Sequence, residues 1–170
     1  MMAVAHTLLQ RQVLDRELFL FDTFDGMPAA GQHDRLFTGE TVADLLDTTS
    51  GVAERVRAYA SLADVRRNML TVGYPEERIH FLPGKVEDTV PSRAPSQIAL
   101  LRLDTDWYES TRHELVHLFP RLSKGGVLII DDYGDWQGAR RAVDEYVAQC
   151  AAPILLNRID HTGRIAVKLS

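Results

Sequence analysis

The stretch Leu101-Arg102-Leu103-Asp104-Thr105-Asp106-Trp107-Tyr108-Glu109-Ser110-Thr111 decides the fold together with a second one, Gly125-Gly126-Val127-Leu128-Ile129-Ile130-Asp131-Asp132-Tyr133. Each contains a short, almost wholly apolar run that stops abruptly on acids. Runs of this length and composition read as strands buried on both faces, here residues 98–103 and 127–130. Amphipathic helical spacing fills the interval between them. Strand, helix and strand in that order predict a parallel pair joined by a crossover helix.

Working outward, residues 18–21 and 79–82 repeat the apolar strand pattern. Ser61 followed by Asp64 reads as a capping box opening a helix that stops at Gly73, with Pro75 just beyond. At the C-terminus, residues 154–159 and 164–169 flank Asp160-His161-Thr162-Gly163 as two strands around a tight turn. The predicted architecture is therefore α/β: doubly wound, mostly parallel, closed by an antiparallel hairpin, in one domain over residues 1–170. Residues 1–12 read as helix, with nothing ahead of them to serve as a first strand. The polar stretch from Pro28 to Thr49 reads as a lid over a ligand or as an insertion.

Composition narrows the function. The chain has 170 residues, is 45% hydrophobic and 25% charged, and carries a net charge of −5. That is enough apolar material for a core without disulfides. The single cysteine, Cys150, has no partner, and no charged leader precedes an apolar run, so a cytoplasmic protein is expected. Absence of a basic stripe argues against nucleic acid, and no apolar run is long enough for a membrane helix. Small-molecule chemistry is the expected class.

Ligands of open α/β sheets bind beyond the carboxyl ends of strands, and four such ends here are acidic or glycine-rich. Asp104, Asp131 and Asp132 would meet on adjacent strands, where three carboxylates repel one another unless a cation sits among them. All-oxygen ligation favours Mg²⁺, or Mn²⁺ and Ca²⁺, over zinc; the plainer alternative is that these acids cap turns. Asp22 stands where a carboxylate can accept from a ribose, or can stabilise the Asp25-Gly26 turn. Val86, after Pro83-Gly84, could pack on adenine with Asp88 or a backbone amide at its edge, or could simply open a helix. His113 and His117 lack a third ligand and read as a solvated helix face. Trp107 and Tyr108 line a pocket or cover the core. Lys124-Gly125-Gly126 reads as a turn, not a phosphate loop.

The two opening segments, with Asp22-Thr23-Phe24-Asp25-Gly26-Met27-Pro28 and Gly84-Lys85-Val86-Glu87-Asp88-Thr89-Val90-Pro91, resemble the macrocin O-methyltransferase family over nearly the whole chain. That resemblance implies S-adenosylmethionine-dependent, Mg²⁺-assisted methylation of a sugar hydroxyl in antibiotic biosynthesis, on a Rossmann-like sheet. It implies Asp104, Asp131 and Asp132 as metal ligands, with Asp104 also the base. On the cofactor side it implies Asp22, Thr23, Phe24, Gly84 and Val86, with Ser61 near adenine. The family's first strand and glycine-rich loop are not found ahead of the first helix, which implies a chain truncated at its front. Dimers are common among such enzymes. A phosphatase using Asp104-Thr105-Asp106 and Asp131-Asp132 is disfavoured, because 27 residues leave no room for its remaining strands. A catechol-type methyltransferase and a non-catalytic assembly module are the other readings.

Overall fold

A computed structural model of the chain describes residues 1–46, 59–150 and 154–169. The helices are α1 (Met2–Gln10), α2 (Val42–Leu46), α3 (Leu62–Leu70), α4 (Val86–Thr89), α5 (Tyr108–Leu118) and α6 (Gln137–Gln149). The strands are β1 (Leu18–Asp22), β2 (Ile79–Pro83), β3 (Ile98–Leu103), β4 (Leu122–Ile130), β5 (Asn157–Arg158) and β6 (Arg164–Val167). These residues form two sheets, a parallel β1-β2 pair and a mixed sheet ordered β3-β4-β6-β5. Two compact units result, one holding Met1–Pro28 and the residues up to Thr89, the other holding Ala29 onward to α2 and everything from Val90.

In the first unit, Leu18 pairs with Ile79 and Asp22 with Pro83, so both strand tips point the same way. Leu18, Leu20 and Ile79 pack against Ala5 of α1 and Met69 of α3. The opposite face is less covered, since Phe19, Phe21 and His80 are only half-buried. Ser61 caps α3 as expected, its hydroxyl accepting from the Asp64 amide at 3.2 Å and donating to that carboxylate at 2.7 Å.

In the second unit β3 lies parallel to β4, with Leu103 opposite Ile130, so the two acidic tips leave the sheet side by side. β4 is longer than its apolar run. Lys124-Gly125-Gly126 is not a turn before the strand but a bulge within it: Ile98 pairs with Leu122, and Leu100 only with Val127. The Gly125 amide donates to the Lys168 carbonyl at 2.7 Å, which keeps the bulged residues attached to the sheet. The C-terminal hairpin forms with shorter strands than expected, and β6 pairs antiparallel with both β4 and β5. Leu103, Leu115, Leu128 and Ile130 are each 1% exposed. Burial of such side chains stabilises by about 1.5–3 kcal/mol apiece. β3 departs from the two-sided pattern, because Leu100 is 40% exposed. Among the described residues, no helix is long and apolar enough to cross a membrane.

Candidate active site

The first unit presents the tip of β1. Asp22 is exposed there, and its Oδ1 accepts from the Phe24 amide at 2.8 Å. Thr23 closes the turn by donating to the Gly26 carbonyl at 2.7 Å, and the Gly84 amide donates to the Asp22 carbonyl at 3.0 Å. Asp22, Thr23 and Gly84 are thus brought together on one rim. The side chains of Phe24 and Val86 are not on it: they are 7% and 6% exposed, buried in the protein. What Phe24 offers at the rim is backbone, held at a left-handed φ of 55°. The Ser61 hydroxyl is engaged in capping α3.

The second unit gathers the acids. Asp104, Asp131 and Asp132 each place a carboxylate oxygen within 4.8 Å of the others. β3 and β4 bring this about: the Asp131 amide donates to the Leu103 carbonyl at 3.0 Å, extending the ladder by one residue, and beyond it both chains turn away. An all-oxygen set at this spacing fits a hard divalent cation. Arg102 supplies positive charge in the cluster, bonded to Asp104 through Nη1 and to Asp131 through Nη2 at 2.9 Å. Its guanidinium is driven to a higher pKa, burial opposing but the two aspartates prevailing.

A fourth carboxylate joins the three. Asp106 sits at a left-handed φ of 61°, in a turn closed by the Trp107 amide donating to the Thr105 carbonyl at 2.6 Å. Strained backbone of this kind persists where the surroundings hold it. Here the Thr105 hydroxyl donates to the buried Glu114 at 2.9 Å. Burial, first, and a hydrogen bond that its carboxyl donates to Asp106, second, push Asp132 up to about 9, whereas Asp106 is raised by burial to about 6 and held back by accepting that same bond. Asp104 is pushed up to about 7 by burial and by Asp131, against the pull of Arg102. Crowded carboxylates hold protons more tightly than isolated ones, because burial and each ionised neighbour disfavour a further negative charge.

Two tryptophans close the floor. Trp107 and Trp136 immediately precede α5 and α6, are 3% and 7% exposed, and meet edge to face at 4.8 Å. Trp107 is therefore core rather than pocket lining. Tyr108 donates to Glu145 at 2.7 Å. The stretch after Pro28 is tied over the same loops: the Phe37 amide donates to the Asp135 carbonyl at 2.7 Å and the Gln137 amide to the Arg35 carbonyl at 2.9 Å. His113 and His117 are half-buried on the face of α5, their rings 4.4 Å apart and His113 bonded to the Val90 carbonyl. Asp106 was present in the acidic tip that the sequence displays, but its place beside Asp104 comes from the turn beyond β3, which the apolar run does not encode. Asp34 and Glu114, which brace this region, carry no local signal.

In the second unit, parallel strands with acidic tips side by side and a helix crossing between them define a Rossmann-like α/β ligand-binding sheet. This chain belongs to the macrocin-O-methyltransferase (TylF) family, whose model matches residues 1–167. It is 35% identical over 156 residues to a demethyldecarbamoylnovobiocin O-methyltransferase of Streptomyces niveus, covering 92% of this chain and 56% of that protein. It is 36% identical over 148 residues to an 8-demethyl-8-(2,3-dimethoxy-alpha-L-rhamnosyl)-tetracenomycin-C 4'-O-methyltransferase of Streptomyces olivaceus, covering 87% and 53%. Among solved structures, the O-methyltransferase NovP superposes with a TM-score of 0.82 at 31% identity, over 99% of this chain and 66% of that one. The chain spans about half the length of the curated relatives it matches.

Proposed function

We propose that this chain carries the metal and acceptor chemistry of an S-adenosylmethionine-dependent, Mg²⁺-assisted O-methyltransferase acting on a sugar hydroxyl of a natural product. The observation that carries the reading is the carboxylate cluster at the tips of two adjacent parallel strands, in a chain of this family. Asp104, Asp131 and Asp132 would hold the cation. Asp22, Thr23 and Gly84, with backbone at Phe24 and the neighbourhood of Ser61 and Val86, would hold the cofactor. When bound, the cofactor supplies an electrophilic methyl group and the cation a Lewis acid and template for a hydroxyl.

The protein's own task is to orient the acceptor and take its proton. Asp104 is one base, because it stands at the tip of β3 beside the other carboxylates, where an acceptor hydroxyl held at the cation could hand over its proton. Asp106 is a second reading, favoured because it lies outside the three-oxygen set and would not be a ligand of the cation. A sugar acceptor is supported by one relative's name, which specifies a rhamnosyl compound. The test is calorimetric titration of the purified chain with S-adenosylhomocysteine, with and without Mg²⁺, beside a longer chain that includes any upstream coding sequence. Binding by either supports the reading. Silence from both, with each shown to be folded, would sink it.

A further inference from the structure

The polar stretch before α2 contains a buried carboxylate that the proposed chemistry leaves unused. Asp34 is 4% exposed. Its Oδ1 accepts from the Tyr108 amide at 2.8 Å and its Oδ2 from the Gly31 amide at 2.6 Å. Tyr108 is the first residue of α5, whose N-cap Trp107 supplies no side-chain acceptor. Asp34 therefore caps α5 from a position 74 residues away in sequence.

The same carboxylate reaches α6. A Cβ built on Gly138, in the first turn of that helix, would lie 2.1 Å from Asp34 Oδ1. Only a residue without a side chain admits the carboxylate there. The N-cap of α6, Trp136, also offers no acceptor. One carboxylate thus accepts from the first amide of α5 and packs against the first turn of α6, at the positive ends of both helices. These helices are the two that follow the acidic tips: α5 begins just after Asp106, and α6 just after the turn that starts at Asp132.

We propose that Asp34 is a positioning residue for the acidic cluster, setting the spacing between the Asp104–Asp106 turn and the Asp131–Asp132 loop by anchoring the first turns of α5 and α6. This rests on the cation reading above for its effect on affinity, but not for its effect on structure. The charge is required as well as the size. Asparagine would keep the volume but remove the charge and turn an N–H toward one of the two amide donors.

The test compares the purified chain with Asp34→Asn and with Met69→Ala, a core truncation in the first unit that serves as the stability control. Each is titrated with Mn²⁺, and amide hydrogen exchange is followed in the cation-free proteins. Asp34→Asn should weaken Mn²⁺ binding at least tenfold, whereas Met69→Ala should lower the melting temperature without changing affinity. Exchange should accelerate at Trp107 and Tyr108 and also at Asp135, Trp136 and the first turn of α6. Unchanged Mn²⁺ affinity in Asp34→Asn, or acceleration confined to Tyr108, would overturn the proposal. If the unsubstituted chain binds no Mn²⁺, the cation reading fails by itself, and exchange at both loops still decides the role of Asp34. Should Asp34→Asn not fold, Asp34→Glu is measured in its place with the same expectations; failure of both to fold would make Asp34 a folding determinant and overturn the proposal.

Discussion

At the scale of single residues, proton affinity distinguishes the acids. Asp104 is raised to about 7 and Asp132 to about 9, from an ordinary 3.8. Groups raised in this way bind more protons folded than unfolded, so the cation-free chain should lose stability as pH rises from about 4 toward 9. A cation needs these carboxylates ionised, so Mg²⁺ affinity should rise over the upper part of the same window and binding should release protons. Calorimetry at pH 7 in buffers of different ionisation enthalpy checks this; an observed heat that does not change with buffer would contradict it. The bases are separated by substitution. Asp104→Asn should reduce methyl transfer by at least about 100-fold, the ordinary worth of a positioned base. Activity within about tenfold of the original, roughly 1.4 kcal/mol of barrier, would remove Asp104 from that role and leave Asp106→Asn as the deciding variant.

At the scale of elements, what could be read in the sequence follows from what is local. The strands were legible because their apolar runs end on acids, and α3 because Ser61, Asp64 and Gly73 mark both of its ends. The bulge in β4 was not, because Ser123-Lys124-Gly125-Gly126 has turn composition and only the pairing with Lys168 keeps it in the sheet. The inward turn of the Phe24 and Val86 side chains was not legible for a related reason: proximity to a strand tip in sequence does not say which way a side chain turns. The trimmed C-terminal hairpin has its own constraint. A Cβ on Gly134, in the loop after the acidic pair, would lie 2.1 Å from the His161 carbonyl oxygen, and backbone cannot move aside as a side chain can. Gly134→Ala should therefore cost at least about 1–3 kcal/mol, the range for overpacking. Denaturant unfolding measures it, and a loss under about 0.5 kcal/mol would mean the hairpin gives way freely.

At the scale of the whole molecule, the residues proposed for the two ligands fall on different units: Asp22 and Gly84 in the first, and Asp104, Asp131 and Asp132 in the second. A ligand that binds only the native arrangement stabilises it by mass action, by about 2.7 kcal/mol at a hundred times its dissociation constant. Amides that exchange only when the binding site opens should slow by the same factor, about 100-fold, while amides that exchange through openings elsewhere should not. Mg²⁺ should therefore protect β3, β4 and the first turns of α5 and α6, and S-adenosylhomocysteine should protect β1, β2 and the segment around Gly84. Hydrogen exchange resolved by residue separates the two patterns in one protein. Mg²⁺ protection centred on β1 and β2 would place the cation away from Asp104, Asp131 and Asp132, however well their spacing suits it. Protection of the carboxylate loops by Mg²⁺ alone, with no response anywhere to S-adenosylhomocysteine, would mean that the metal half of the chemistry is complete in this chain and the cofactor half is not.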